Sequence, residues 1–182
     1  MNNIFLMGEV GIGKSAVISK TLALLPAVVC GGFRTVSAAP VTEGAMLDVF
    51  IEKVWEATPH DFANLAGTRW GDRRVTPYPA AFDTVGVSIL AFPPADAALL
   101  LMDELGVMED GAELFRQAVM AVLDGPLPVL GVIKPKHSGF LDAVRAHPRS
   151  AVIDVTENNR DELPARLAGL LIEDIPHDAF GL

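Results

Sequence analysis

The chain has 182 residues, of which 51% are hydrophobic, and a formal net charge of −9. This length suits one domain over residues 1–182 and leaves too little chain for a second. The acidic balance argues against nucleic acid or an anionic membrane as the main partner, because both repel a negative protein. The longest charge-free stretches, 21–33 and 84–95, are shorter than the ~18 residues of a membrane span, so we expect the apolar excess in a core of buried parallel strands.

The cysteine and histidine content points to a reducing compartment and to no metal cluster. The single cysteine, Cys30, permits no internal disulfide, and the N-terminus lacks the basic flank of a secretory signal. We therefore predict a cytoplasmic location. The spacing of His60, His137, His147 and His177 matches no metal site, so these are expected to be structural or surface residues.

The most informative feature lies at the N-terminus, where the apolar run 4–7 precedes a segment that fits the phosphate-binding P-loop at each fixed position. The glycines let backbone N–H groups turn towards phosphate oxygens, and the following helix adds the positive end of its dipole. Lys14 is expected to reach the β- and γ-phosphates, and Ser15 to bind Mg²⁺. The motif predicts nucleoside triphosphate binding by Gly8, Glu9, Val10, Gly11, Ile12, Gly13, Lys14, Ser15 and Ala16.

The segment after the P-loop departs from a simple alternation of strand and helix. The periodicity predicts a helix over 14–25, a second strand over 28–36, and extended pieces over 45–54 and 64–70. There is too little helical pattern here for a plain crossover between parallel strands. We therefore expect a small antiparallel β excursion, at about 33–78, set into a mostly parallel sheet.

Regular alternation resumes at Pro79 and continues to the end of the chain. The pattern predicts helices at 79–92, 112–123, 138–147 and about 159–172, and strands at 97–102, 127–133 and 151–155. This rhythm is typical of an α/β fold with helices on both faces of a mostly parallel sheet. In such folds the ligand lies at the carboxyl ends of the strands.

Two acidic residues follow the predicted strand 97–102. An apolar run that ends in an acid is the Walker B pattern, in which a buried strand places Asp103 beside the P-loop, where it can hold Mg²⁺ through water. Glu104, the next residue, could accept a proton from the attacking water or orient it. An acidic pair at a strand end can also be merely solvated or cap a turn, but the P-loop earlier in the chain favours the catalytic interpretation.

Three segments together resemble a known family. Residues 103–109 (Asp-Glu-Leu-Gly-Val-Met-Glu) resemble the Asp-Glu-x-Gly-x-Met-Glu motif of the THEP1-type nucleoside-triphosphatases, also called cancer-related nucleoside-triphosphatases. Residues 32–35 are similar to their Gly-Phe-x-Thr segment, and 154–164 to their Val-Thr-x-x-Asn-Arg-Asp-x-Leu stretch. The likeness runs from residue 3 to about 172 with the motifs in the family order.

The resemblance implies a P-loop NTPase three-layer sandwich that hydrolyses nucleoside triphosphates to diphosphates with Mg²⁺ and discriminates weakly among bases. It also implies that Glu104 is the catalytic carboxylate. The chain departs from the family at Ala16, where many members have threonine, and at Val107, where lysine is common. The second departure removes a cation near the expected active site, which leaves open whether this chain hydrolyses nucleotides as members do.

Phosphoryl transfer builds charge on the γ-phosphate, which an arginine can stabilise. Arg69, Arg73 and Arg74 cluster at the end of the predicted excursion, and the resembling family keeps an arginine near this point. Arg74 is therefore our candidate catalytic arginine. A surface position is the alternative for all three, and Arg34 on the second strand is a further candidate.

The loop after the last predicted strand is expected to lie near the P-loop, where a base would project. Thr156, Asn159 and Arg160 are the candidates for base contact. A structural alternative exists, because Asn159 or Asp161 can cap the last helix, with Glu162 three residues after Asn159 in the relation of a capping box.

The sequence thus favours an Mg²⁺-dependent nucleoside-triphosphatase that acts on ATP, GTP and other nucleotides, with Lys14 and Glu104 in the catalytic set. Two alternatives stay open: a small-molecule or nucleotide kinase, and a nucleotide-dependent binding module with slow turnover. The oligomeric state is also open, and a monomer is compatible with the sequence.

Overall fold

The computed structural model describes residues 3–72 and 74–175. Its strands are β1 (Asn3–Met7), β2 (Val29–Ala38), β3 (Leu47–Lys53), β4 (Leu65–Arg69), β5 (Val75–Pro77), β6 (Ala97–Leu105), β7 (Val129–Ile133) and β8 (Ser150–Asp154). Its α-helices are α1 (Lys14–Leu24), α2 (Pro79–Ala81), α3 (Val87–Ala91), α4 (Glu113–Asp124), α5 (Gly139–Ala146) and α6 (Leu163–Asp174). A π-helical turn, Phe82–Gly86, joins α2 to α3, and a 3₁₀ turn, Met108–Gly111, precedes α4.

The eight strands form one sheet in the order β5-β4-β3-β2-β6-β7-β1-β8. The strands β2, β6, β7, β1 and β8 are parallel, so their carboxyl ends share one edge, here called the carboxyl edge. Because β7 separates β1 from β6, the strand of Asp103 is the second neighbour of the P-loop strand, at about 10 Å. Asp103 and the P-loop thus lie at the same edge of the sheet, with one strand end between them.

The antiparallel excursion predicted at about 33–78 is confirmed. Strands β3, β4 and β5 pair antiparallel in sequence and extend the same sheet beyond β2. Arg34 on β2 pairs in register with Asp103 on one side and with Glu52 of β3 on the other. The excursion is thus joined directly to the strand that carries the acidic pair.

Helices cover both faces of the sheet, as the sequence predicts. Side chains alternate along β1, so Ile4 and Leu6 pack in one core cluster while Phe5 packs in the other. Buried residues of α1 and α6 belong to the first cluster, and those of α4 and α5 to the second. Within the described ranges, no helix combines the length and the apolarity needed to cross a bilayer.

The last helix begins later than predicted, at Leu163 instead of about residue 159. Pro164 lies in its first turn, the part of a helix where proline is tolerated because no N–H is required. Glu162 takes the N-cap position without a side-chain hydrogen bond, so the predicted capping box is not formed.

The helix predicted over 79–92 is interrupted by the π-helical turn between α2 and α3. In this turn Asp83 accepts a hydrogen bond through Oδ1 from the N–H of Phe115, at 2.9 Å. This N–H lies in the first turn of α4, where a helix has no internal acceptor, so Asp83 ties the start of α4 to the neighbouring helical segment.

Candidate active site

The P-loop connects β1 to α1 at the carboxyl edge. Gly13 has a φ of +107°, a left-handed conformation that favours glycine, and it immediately precedes α1. A Cβ on Gly8 would lie 2.7 Å from the Val155 carbonyl oxygen, so only glycine fits this close approach. The Lys14 ammonium donates hydrogen bonds to the carbonyls of Gly8 at 2.9 Å and Glu9 at 2.8 Å, which hold it inside its own loop.

The acidic pair lies inside β6, not beyond its end as predicted. Met102 is opposite Gly131 of β7, and Leu105 is opposite Ile133. Between these two pairs β6 contains one residue more than β7. This is a β-bulge, which re-aims side chains within a strand. Glu104 has a φ of +81°, the one positive φ among the non-glycine residues that the structure describes, at a cost of about 1–3 kcal/mol.

Asp103 is partly buried within the bulge. Burial raises the pKa of its carboxyl, as does the neighbouring Glu104 charge, while Arg34 on the adjacent strand acts in the opposite direction. In residues 3–72 and 74–175, no hydrogen bond occupies the Asp103 carboxylate. This oxygen donor is therefore free to serve a cation at the carboxyl edge.

Two residues to which the sequence analysis assigned no role, Lys134 and Glu109, lie close to Glu104. The ammonium of Lys134, which directly follows β7, lies 2.5 Å from Glu104 Oε1. Glu109 is 1% exposed, and burial raises its pKa to about 7 although the Gly106 N–H donates to its Oε2 at 3.0 Å. The one sequence signal for Lys134 was a charged residue directly after a buried apolar strand, the pattern that identified Asp103. Val107, where lysine is common in the resembling family, is instead an exposed valine.

Arg74 lies far from the P-loop, in the turn between β4 and β5. It pairs with Asp72 at 3.3 Å, and its guanidinium lies 5.6 Å from the centre of the Trp70 ring. The strand β4 is five places from β1, about 24 Å across the sheet. Arg69 is exposed at the end of β4, and Arg73 lies outside the described residues. The structure thus does not bring Arg74 to the P-loop.

The turn after β8 approaches the P-loop, as predicted. The Asn159 side chain accepts from the Thr156 N–H and donates to the Asp154 carbonyl, both at 2.8 Å, so it orders this turn. Arg160 instead reaches across to the P-loop, where it donates to the Ile12 carbonyl at 3.4 Å. A pocket of about 240 Å³ lies between the P-loop, α1 and this turn, lined by Gly11, Ile12, Gly13, Ala16, Val17, Lys20, Arg160 and Asp161.

Ser15 and Asp103, the residues expected to hold Mg²⁺, both offer oxygen donors. Within the described part of the chain, no group of three or more His, Cys, Asp or Glu side chains gathers as a metal site. Mg²⁺ needs no such cage, because it is usually held by one or two protein oxygens together with substrate phosphates and water. The Ser15 hydroxyl, in the first turn of α1, and the Asp103 carboxylate are donors of the required kind.

Comparison with known proteins decides the family. A family model described as NTPase matches residues 3–168. A nucleoside-triphosphatase THEP1 from Thermofilum pendens is 31% identical over 172 aligned positions, which cover 91% of this chain and 93% of that protein. The chain belongs to the THEP1 family of nucleoside-triphosphatases. The nucleoside-triphosphatase THEP1 of Natranaerobius thermophilus, 28% identical over 191 aligned positions, covers 96% of this chain and 98% of its own length.

Solved structures share the fold. The crystal structure of THEP1 from Aquifex aeolicus superposes with a TM-score of 0.67 at 19% identity, over 93% of this chain and 98% of that one. The solution structure of a human cancer-related nucleoside triphosphatase gives 0.64 at 21% identity, over 95% and 98%. The predicted P-loop NTPase fold and the resemblance to the THEP1 family are thus confirmed, and this chain is an enzyme of a nucleoside-triphosphatase family.

Proposed function

We propose that this THEP1-family protein hydrolyses the β–γ bond of nucleoside 5′-triphosphates, ATP and GTP among them, to the diphosphate and phosphate in the presence of Mg²⁺. The observation that carries the proposal is that the P-loop and the acidic pair lie at the same edge of the sheet, the carboxyl edge. The P-loop with Lys14 and the bulge with Asp103 and Glu104 stand at the carboxyl ends of parallel strands with one strand between them. A phosphate group held by the loop therefore faces the acidic pair.

The phosphates are bound by the backbone N–H groups of the P-loop, residues 8–16, and by Lys14. The Lys14 ammonium exchanges its hydrogen bonds to the carbonyls of Gly8 and Glu9 for phosphate oxygens. The dipole of α1 adds to the attraction, because its N-terminus points at the bound group. This local positive field offsets the repulsion expected from a chain of net charge −9.

Ser15 and Asp103 would hold Mg²⁺, with Asp103 acting through water. When bound, the ion neutralises charge on the β- and γ-phosphate oxygens. Arg34, beside Asp103, favours the ionised form of that carboxyl. The assignment of Asp103 to the metal also fits its carboxylate, which no residue of 3–72 or 74–175 engages by a hydrogen bond.

Glu104 activates the attacking water by accepting or orienting its proton. The bulge supports this role, because a strained backbone at a polar residue is typical of functional sites and has no evident benefit for packing here. Arg74 has no part in this scheme, given its place in the β4–β5 turn.

Thr156, Asn159 and Arg160, the candidates for contact with the nucleotide base, lie in one turn after β8 and have different roles. Asn159 holds the turn in shape, while Thr156 and Arg160 are exposed and face the nucleotide. Contact from two exposed polar side chains distinguishes poorly among bases, which fits a substrate class that includes all four common nucleoside triphosphates. We place this activity in the cytoplasm, in a one-domain protein with no nucleic-acid partner, from the single cysteine and the acidic composition.

The test is phosphate release from ATP, GTP, CTP and UTP with Mg²⁺. We expect release from all four, loss of release in Lys14→Ala through loss of binding, and loss in Glu104→Gln with nucleotide binding retained. Glu173→Gln, the same change at an exposed site on α6, is the matched control and is expected to keep wild-type turnover. All labelled products are measured, so that transfer of the phosphoryl group to an acceptor is distinguished from transfer to water.

Each contrary outcome points elsewhere. Turnover by Glu104→Gln would remove Glu104 from its catalytic role. Tight binding without phosphate release would support a kinase if ATP is consumed only with an acceptor. It would support a binding module if nucleotide instead changes protease sensitivity. Activity that is unchanged after magnesium is removed with a chelator would remove the metal from the scheme.

A further inference from the structure

Lys134 stands at the centre of the carboxyl edge. It directly follows β7, which lies between the P-loop strand β1 and the strand of Glu104. Its backbone is fixed, because its N–H donates to the Leu105 carbonyl at 2.9 Å and its own carbonyl accepts a hydrogen bond from Arg145. The side chain is free by comparison: it is 32% exposed and makes one ion pair, with Glu104. Because the backbone of Lys134 is held in place while its side chain is held only by this ion pair, the ammonium can change partner.

The absence of a side chain at Gly106 leaves room for the aliphatic part of the Lys134 side chain. A Cβ on Gly106 would lie 3.0 Å from the Lys134 Cδ, closer than ordinary contact, so a larger residue would push the stem aside. The ion pair joins Nζ to Glu104 Oε1. This is the carboxylate that the proposed function assigns to the attacking water, so in this arrangement the oxygen that should receive a proton is occupied by a cation.

The position of β7 also defines what else Lys134 can reach. Adjacent strands are about 4.8 Å apart, so the end of β7 is one step from β1 and one step from β6. A γ-phosphate that is held between Lys14 of the P-loop and the end of β6 at Asp103 would lie over the end of β7. It is then within the length of a lysine side chain. The β-phosphate, bound deeper in the P-loop, is further away.

We propose that Lys134 is a positioning residue that couples Glu104 to the γ-phosphate. Without a γ-phosphate the ammonium pairs with Glu104 and blocks it. With a triphosphate bound, the ammonium turns to the γ-phosphate oxygens, which carry more charge than a carboxylate, and releases Glu104 to take the proton of water. The coupling makes the site distinguish a triphosphate from its diphosphate product. The inference rests on the proposed function for the role of Glu104.

The first experiment measures binding where no hydrolysis interferes. Titrations of ATP and ADP with Mg²⁺ compare three proteins: Glu104→Gln, Glu104→Gln with Lys134→Met, and Glu104→Gln with Lys136→Met. In this background the ion pair with Glu104 is already absent, so a difference between the effects of Lys134→Met on ATP and on ADP reports on the contact of Lys134 with the γ-phosphate. We expect Lys134→Met to weaken ATP binding about tenfold or more and ADP binding less than twofold, the size of one charge-assisted hydrogen bond. Lys136, exposed two residues further on, is the control and should change neither.

The second experiment measures turnover with Glu104 present. Lys134→Met is expected to lower kcat with little change in the affinity for ADP, and Lys134→Arg to recover part of kcat, because it restores the charge. A purely structural role predicts no such recovery and an equal loss for ATP and ADP. If Lys134→Met does not fold, Lys134→Gln is measured by the same criteria.

Equal weakening of ATP and ADP, or no weakening of either, would overturn the inference. The proposed function fails by a different readout, namely no phosphate release by the wild-type protein. In that case the ratio of ATP to ADP affinity in the Glu104→Gln background still decides whether Lys134 responds to the γ-phosphate. The two failures are therefore distinguishable.

Discussion

Glu109 Oε2 accepts a hydrogen bond from the Gly106 N–H at 3.0 Å, within the short segment that connects the acidic pair to α4. The carboxyl is 1% exposed, and burial raises its pKa from 4.5 to about 7, helped by the Glu104 charge and opposed by Lys134. A carboxyl in this environment is easier to bury with its proton than without it. The stability of the fold must therefore depend on pH through this group.

The sign follows from proton counting. Between pH 4.5 and about 7, the unfolded chain has lost the Glu109 proton while the folded chain retains it. Stability from this group is complete below pH 4.5 and falls as pH rises to about 7, by roughly 3 kcal/mol in total. Glu109→Gln removes the titration, so its free energy of unfolding should exceed that of the wild type at pH 8 and change less between pH 5 and pH 8.

Urea denaturation at pH 5, 6, 7 and 8 measures this difference. Glu113→Gln, an exposed glutamate in the first turn of α4, is the matched control and should keep the wild-type slope. Parallel slopes for Glu109→Gln and the wild type would show that Glu109 does not carry the pH dependence.

A second prediction concerns the contact between β2 and β6. Gly32 has a φ of +99°, and a Cβ there would lie 2.0 Å from the Leu101 carbonyl oxygen, a backbone atom that cannot move aside. We expect Gly32→Ala to lower the free energy of unfolding by about 3 kcal/mol or more, from strain and overlap together. Gly169→Ala, on α6 with open space around it, should raise it by up to about 1 kcal/mol. Thermal unfolding of both variants gives the comparison, and equal shifts would contradict the prediction.

Much of the fold could be predicted because periodicity and turn residues act locally. The P-loop, the alternation after Pro79 and the antiparallel excursion all follow from neighbours along the chain. The strand order does not, because the insertion of β7 between β1 and β6 is decided by packing between distant segments. The sequence therefore could not predict that one strand, β7, separates the strand of Asp103 from the P-loop strand.

The site residues that belong to a motif could be predicted from the sequence. Those whose position depends on how the strands pair could not. Asp103 and Glu104 stand out as an acidic pair after an apolar run, but the bulge that turns them depends on how β6 pairs with β7. Lys134 belongs to no recognised motif, and although Glu109 ends the family motif at 103–109, the motif does not reveal what surrounds its carboxyl. Both lie near Glu104 because β7 ends beside the bulge and because the Gly106 N–H holds the Glu109 carboxyl next to the acidic pair.

A third prediction tests the turn after β8. Arg160 is the exposed cation of this turn that contacts the P-loop, at the Ile12 carbonyl. Arg160→Ala should raise KM for ATP and for GTP by about five- to tenfold with kcat unchanged, because a contact present in both ground and transition states is lost. Arg166→Ala, an exposed arginine on α6, is the control. An effect on kcat alone would place Arg160 at the reacting phosphate instead.

The last prediction decides between the sequence and the structure on the catalytic arginine. The sequence favoured Arg74, but its pairing with Asp72 and its place five strands from β1 put it beyond reach of a phosphate held by Lys14. We expect Arg74→Ala to keep kcat within about twofold of the wild type, whereas loss of an arginine that stabilises the transferred phosphoryl group costs about a thousandfold or more. Single-turnover phosphate release at saturating ATP separates these values. A loss of that size in Arg74→Ala would show that Arg74 does reach the transferred phosphate, and it would contradict this prediction.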